Sequence, residues 1–212
     1  MFDSDSTKDA ILRAALTRFA SYGYKRTSLN DIADEAGLSR PTLYSYFKNK
    51  EAIVRAVSQG LHDSTLDNVE AALTNSTDLQ QRMVDGFWAW SEPFMRVLFG
   101  SPHGAELISA GGTMASDIAE GARSRFQALL VKHLKKAKRD GLIDLSAIQL
   151  SNEQAAEFLI LALNGLSSGD ADERTYKQRL ATLVRLFLNA VSVPGKQTVF
   201  PVLSKQIPIS PL

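Results

Sequence analysis

Residues 27–50 read TSLNDIADEAGLSRPTLYSYFKNK, and this stretch predicts two short helices joined by a tight turn. Ser28, with an acidic residue three positions on, resembles a capping box and predicts the start of the first helix. Gly37 ends that helix, because glycine is favoured just past a C-terminus. Ser39 can cap the next helix, and Pro41 is tolerated there because its missing N–H lies in the first turn. Two such helices form a helix-turn-helix pattern.

The second of these helices has an outward face suited to DNA. Leu43 and Phe47 are four residues apart and can face a core, which leaves Arg40 and several hydroxyl groups outside. In a major groove, arginine can bond guanine O6 and N7 while hydroxyls reach phosphates. The candidate DNA contacts on or beside this helix are Ser39, Arg40, Pro41, Thr42, Tyr44, Ser45, Tyr46, Lys48 and Lys50.

The segment SLNDIADEAGLSRP followed by TLYSYFKNKEAI resembles the DNA-binding signature of the tetracycline-repressor (TetR) family. The resemblance implies a DNA-binding transcriptional regulator, and it distributes roles among the candidates. Thr42, Tyr44, Tyr46 and Lys50 would hold the DNA backbone, Arg40 and Ser45 would read bases, and Ser28 and Asn30 would be secondary contacts. About 60 residues match by motif; beyond them the resemblance implies only a helical body and dimerisation.

The rest of the chain predicts an all-α fold of about nine helices, since strand signals are absent. We expect a three-helix helix-turn-helix domain (1–50), a helical effector-binding and dimerisation domain (51–193) and an irregular tail containing prolines (194–212). After residues 7–22 and the two short helices, the periodicity predicts helices over about 50–73, 79–99, 103–110, 114–139, 155–166 and 176–191.

Composition limits the function classes. The 24 Lys and Arg nearly balance the 23 Asp and Glu, so any surface for a polyanion must be local. The chain has no cysteine, which excludes disulfides, cysteine-bound zinc and thiol nucleophiles and fits a cytoplasmic protein. The N-terminus does not resemble a secretion signal, and the longest apolar run, 158–163, is too short to cross a membrane.

Two observations predict a homodimer on a double-stranded DNA operator. Residues 1–50 contain eight basic and six acidic residues, which is weak for a lone DNA-binding domain and favours two copies. Residues 155–166 are apolar almost all round, as expected of a helix at a subunit interface. The expected interface residues are Phe158, Leu159, Ala162, Leu166, Leu180, Leu183 and Phe187.

The segment 79–99 is a candidate wall of a ligand pocket. Its apolar arc is wider than that of an ordinary surface helix, which predicts contacts on two sides, and Pro93 should kink it. We expect a small apolar or aromatic effector between this helix and 114–139, although the same residues would also suit a plain core. The candidate residues are Phe87, Trp88, Trp90, Phe94, Met95, His103, Met114, Asp117, Phe126 and His133.

The favoured function is therefore a repressor that such a ligand releases from a palindromic operator. One alternative is a DNA-binding dimer without an effector, and a thermal-shift screen separates the two because a bound ligand raises the melting temperature. The other is a helical enzyme. It has little support, because the sequence holds no His-Glu-x-x-His, Gly-x-Ser-x-Gly or phosphate-binding glycine loop. No cofactor or metal is expected.

Overall fold

The computed structural model describes residues 6–167 and 172–193, which form nine α-helices and one short 3-10 helix without any strand. The predicted tail, 194–212, lies outside the described residues. The α-helices are α1 (Thr7–Tyr22), α2 (Leu29–Glu35), α3 (Arg40–Tyr46), α4 (Lys50–Ala72), α5 (Leu79–Gly100), α6 (Gly104–Met114), α7 (Ser116–Arg139), α8 (Asn152–Gly165) and α9 (Glu173–Val191).

The all-α prediction is confirmed, and local capping explains most of the helix boundaries. Ser151 and Gln154 form a capping box at the start of α8. Helix α9 begins three residues before the predicted range 176–191, because the Asp172 carboxylate accepts the N–H of Thr175 at 2.7 Å. Helix α5 continues through Pro93 as one helix. The 3-10 helix, Leu145–Ile148, was not predicted.

A first hydrophobic core joins α1, α2 and α3 to the first turns of α4. Ile11, Phe19, Leu43 and Ile53 are fully buried in it. The core extends along α4 as far as Val57. The N-terminal part of α4 therefore packs with the helix-turn-helix, and the domain boundary predicted at residue 50 falls before the end of this core.

A second, larger core holds the body together. Helix α5 packs against α4 on one side and α9 on another, while α7 packs against α4 and α8. Among its fully buried side chains are Phe87, Phe126, Leu159 and Leu180. The two-sided packing of α5 agrees with the wide apolar arc of its sequence.

Three ion pairs run along the contact between α4 and α7. In each pair the two residues are 62 positions apart, so the two helices run in the same direction. Single exposed pairs stabilise a protein little, but the Arg55 pair is bidentate and fixes geometry. The hydrogen bonds from Arg55 lower the pKa of the Asp117 carboxyl to about 2. The pairs are Arg55 with Asp117 at 2.7 Å, Asp63 with Arg125 at 2.8 Å, and Glu70 with Lys132 at 2.9 Å.

Candidate nucleic-acid interface and ligand pocket

Helix α3 is held firmly from its inner side and its first turn. Leu43 is fully buried and Phe47 nearly so, and both anchor the helix in the first core. The Ser39 hydroxyl accepts the N–H of Thr42 at 3.3 Å and lies 2.8 Å from the Thr42 hydroxyl. The orientation of the outer face is thus fixed by packing and capping, as a recognition surface requires.

The outer face of α3 carries the predicted DNA contacts into solvent. Arg40 and Ser45 are exposed, and the exposed fractions of Tyr44 and Tyr46 are 53% and 49%. Arg40 forms no hydrogen bond or ion pair with the residues that the structure describes, so its guanidinium is available for a base edge. The Ser45 hydroxyl donates to the Thr42 carbonyl at 2.7 Å and retains acceptor capacity. Pro41 and Lys48 are also exposed.

Ser28 and Asp31 form a capping box at the start of α2. The Ser28 N–H and hydroxyl both donate to the Asp31 carboxylate at 2.7 Å, and the Ser28 hydroxyl accepts the N–H of Asp31. These bonds from Ser28 lower the pKa of the Asp31 carboxyl. Asn30 is half-buried. Ser28 is exposed and can approach DNA, but only while it is bonded to Asp31 in the cap of α2.

Lys50 has internal partners that the sequence did not indicate. Its ammonium donates to the carbonyl oxygens of Thr27 at 2.7 Å and Tyr24 at 2.5 Å, and it lies 4.1 Å from the centre of the Tyr24 ring. Burial lowers the pKa of Lys50. A substitution here would disturb the loop between α1 and α2 as well as remove a charge, so Lys48 gives the cleaner test of a phosphate contact.

The predicted interface residues on α8 and α9 fall into two groups. Leu159, Leu180 and Phe187 are buried in the second core of their own chain, whereas Ala162, Leu166 and Leu183 are half-buried. Phe158 is 56% exposed. The periodicity missed two further exposed apolar residues, Leu161 at 53% and Leu186 at 62%. Both helices thus leave large apolar side chains uncovered.

The predicted pocket between α5 and α7 is filled by its own aromatic rings. Phe126 is fully buried, with Phe87 edge-on to its ring at 6.1 Å and Trp90 stacked on it at 4.4 Å. Trp88 lies elsewhere, near Tyr176 and beneath the Lys177 ammonium at 4.2 Å. A ligand at this position would have to displace packed rings.

The other predicted pocket residues are dispersed. Met95 packs on the second core and Met114 on the first. His133 lines a cavity of only about 10 Å³, large enough for a water molecule. Asp117 is engaged by Arg55, and His103 lies 3.4 Å from the Arg26 guanidinium and 3.8 Å from the Glu106 carboxylate.

A cavity of about 240 Å³ lies between the first core and the helices α5, α6 and α7. Phe94 is the predicted pocket residue that lines it. Phe94 lies on α5, and the remaining walls come from α1, α4, α6 and α7. Helices α1 and α4 contribute residues of the first core to these walls. The full set is Leu16, Phe19, Val54, Val57, Ser58, Leu61, His62, Phe94, Val97, Leu107, Ile108, Gly111, Gly112 and Ala119, and no member carries a formal charge near pH 7.

His62 is the main polar group of this cavity, and sequence reasoning missed it. Its side chain is 6% exposed, and it lies 5.2 Å from the Phe94 ring and 6.2 Å from the Trp90 ring. The imidazole has no hydrogen bond to any described residue, and its Nδ1 is completely buried. Burial lowers the pKa of His62, so the ring is neutral near pH 7.

Helix α6 connects this cavity to the DNA-binding domain. The Glu106 carboxylate accepts the N–H of Lys25 at 2.9 Å, and the Ser101 hydroxyl donates to the Ala20 carbonyl at 2.6 Å. Gly23 has a φ of +85°, and a Cβ there would come within 2.6 Å of Glu106. The end of α1 is therefore tightly fitted to the start of α6.

Fold and surface together define an all-helical protein whose helix-turn-helix is joined to a larger helical body. Within the described ranges, no helix combines the length and apolar character needed to cross a membrane. A family sequence model described as "Bacterial regulatory proteins, tetR family" matches residues 11–57. The helix-turn-helix part of the chain is therefore similar to the tetR family of bacterial regulatory proteins.

Named relatives share this similarity over part of the chain. The activator FasR of Mycolicibacterium smegmatis is 35% identical over 42% of this chain and 42% of its own length. The repressor ComR of Escherichia coli is 33% identical over 56% of this chain and 57% of its own. The matched part of the chain thus spans about two fifths to three fifths of these relatives.

The structural likeness extends over most of the described chain. A TetR-family regulator from Mesorhizobium loti has a TM-score of 0.68 at 22% identity, covering 88% of this chain and 97% of its own. SmeT of Stenotrophomonas maltophilia has a TM-score of 0.64 at 18% identity, covering 90% and 93%. At these identities the likeness establishes the fold.

Proposed function

We propose that the protein is a DNA-binding transcriptional regulator that places α3 in the major groove of an operator. The observation that carries the proposal is the contrast between the two sides of α3. Its inner side is anchored by the buried side chains of Leu43 and Phe47. On its outer side, Arg40, Tyr44 and Tyr46 project into solvent and form no part of the core. Rigid presentation of an unpaired arginine is what base readout requires.

We further propose that two copies bind together through α8 and α9. The exposed apolar side chains Phe158, Leu161 and Leu186 support this, since large uncovered apolar residues on adjacent helices are typical of a subunit interface. A two-fold dimer presents two equivalent α3 helices, which requires a roughly palindromic operator. We also propose a cytoplasmic location, because a bacterial regulatory protein meets its DNA operator there.

The proposed mode of regulation is repression relieved by a small apolar or aromatic ligand. The named relatives include both an activator and a repressor. For this chain we propose repression. A structure of SmeT in complex with triclosan supports ligand binding in this fold. We also propose that the protein is not an enzyme, because the named relatives are regulators and the sequence lacks the catalytic motifs considered above.

Selection of bound DNA from a random duplex pool tests the proposal. We expect enrichment of one inverted-repeat sequence, which the protein should bind about 10³-fold or more tightly than a scrambled duplex at physiological salt. A variant with Arg40, Tyr44 and Tyr46 all changed to alanine is the matched control, because these exposed side chains contribute little to folding. Enrichment of no sequence by the folded wild-type protein would reject the proposal.

A further inference from the structure

We propose that the cavity between the first core and the helices α5, α6 and α7 binds a compact, neutral, mainly apolar molecule with one hydroxyl group, which bonds to His62. This inference rests on the proposed ligand-responsive function and names its site and ligand class. It replaces the space between α5 and α7, which is filled by the rings of Phe126 and Trp90.

The polar character of the site restricts the ligand to one hydrogen-bonding group. His62 is more than nine-tenths buried, lines the cavity and has no partner among the described residues. A buried polar group without a partner is costly, so a ligand that supplies the missing bond gains affinity. The nearby Ser58 hydroxyl is the other polar side chain in the wall, and twelve of the fourteen lining residues are apolar or glycine.

The charge and size of the site restrict the ligand further. No lining residue is charged near pH 7, so an ionised carboxylate or amine would lose its hydration without gaining a counter-charge. A cavity of about 150 Å³ holds a benzene ring in another protein. At about 240 Å³, this cavity has room for a ring with a short alkyl substituent.

The position of the cavity links such a ligand to DNA binding. Leu16 and Phe19 belong to α1 of the helix-turn-helix, whereas Phe94 and Val97 belong to the body. A ligand between them touches both α1 and α5 and is sensitive to the relative position of these two helices. Gly111 and Gly112 line the cavity on the α6 side, and a Cβ at either position would meet no atom within 4 Å.

Calorimetric titration of the full chain at pH 7 with three probes tests the site without using DNA. The probes are 4-propylphenol, propylbenzene and 4-propylbenzoate, which share a shape but differ in hydrogen bonding and charge. We expect the phenol to bind about 5- to 150-fold more tightly than the hydrocarbon, because only the phenol bonds His62. The benzoate should bind at least about tenfold more weakly than the phenol.

Two variants and one control locate the binding. His62→Phe keeps an aromatic ring beside Phe94 and should bring the affinity for the phenol down to that for the hydrocarbon. Ala119→Phe fills the cavity and should abolish binding of both. Ala128→Phe, at an exposed position of the same helix, should bind like the wild type. Thermal unfolding of each variant without probe checks that it is folded.

The site is refuted if the hydrocarbon binds as tightly as the phenol, if no probe binds, or if folded Ala119→Phe retains wild-type affinity. The wild-type comparison alone decides the ligand class even if His62→Phe fails to fold. Operator affinity is measured separately with and without the phenol. A probe that binds as expected but leaves operator affinity unchanged supports the site and rejects ligand-driven release, so the two failures are distinguishable.

Discussion

Leu186→Glu is expected to convert the proposed dimer into monomers and to weaken operator binding by about 10²- to 10⁴-fold. Leu186 is 62% exposed in the single chain, so a charge there leaves the monomer fold intact. In the proposed interface the same charge would lose its hydration against apolar side chains of the second copy. Each monomer would then hold one half-site only, and the gain in affinity from linking two half-sites would be lost.

Sedimentation velocity and operator titration measure the two effects of this substitution. Phe99→Glu is the matched control, because Phe99 is also a large apolar residue about half exposed but lies at the end of α5. The control should remain dimeric and bind the operator normally. A Leu186→Glu protein that stays dimeric at micromolar concentration would show that α9 does not form the interface at this position.

Arg40→Ala is expected to cost about 1 to 3 kcal/mol per half-site and to remove the preference at one base pair. The side chain is exposed and has no internal partner, so the loss should fall on DNA recognition and leave stability unchanged. Lys48→Ala is the contrasting control. As a phosphate contact it should weaken binding to all sequences alike and reduce the salt dependence of the affinity.

Competition against operators with single-base changes distinguishes these two variants. The Arg40→Ala protein should tolerate every base at one position of each half-site and keep its other preferences. If its preference profile equals that of the wild type, Arg40 does not read a base, and the exposed hydroxyl of Ser45 becomes the next residue to test.

Local signals were sufficient to predict the helix-turn-helix. Capping at Ser28 and Ser39, the turn at Gly37 and the inward pair Leu43 and Phe47 all act within a few residues of chain. These determinants are short-range, so the sequence contains them directly. Periodicity is also a short-range signal, which explains why the other helices were predicted from the sequence.

The sequence could not predict which side chains of different helices pack on one another. Periodicity indicates that Phe87, Trp90 and Phe126 face the interior, but it does not reveal that their rings pack on one another. On α8, the same pattern does not separate Leu159, which faces its own core, from Phe158, which faces solvent. These distinctions depend on residues far away in the chain.

Two polar residues illustrate the same limit. Lys50 bonds carbonyl oxygens more than twenty positions earlier, which no local motif encodes. His62 lies on α4 among apolar neighbours, and its lack of a partner follows only from the arrangement of α5 and α6 around it. The cavity itself needs five helices, two of which, α1 and α4, contribute residues of the first core.

Hydroxyl-radical footprinting of the selected duplex tests whether two copies of the chain bind a palindromic operator together. We expect two mirror-related protected regions, with half-site centres separated by one helical turn of about 34–36 Å or a multiple of it. Protection of both half-sites should appear together as protein is added, at a ratio of two chains per duplex. Protection of a single half-site by a monomer with full affinity would show that DNA recognition does not need a dimer.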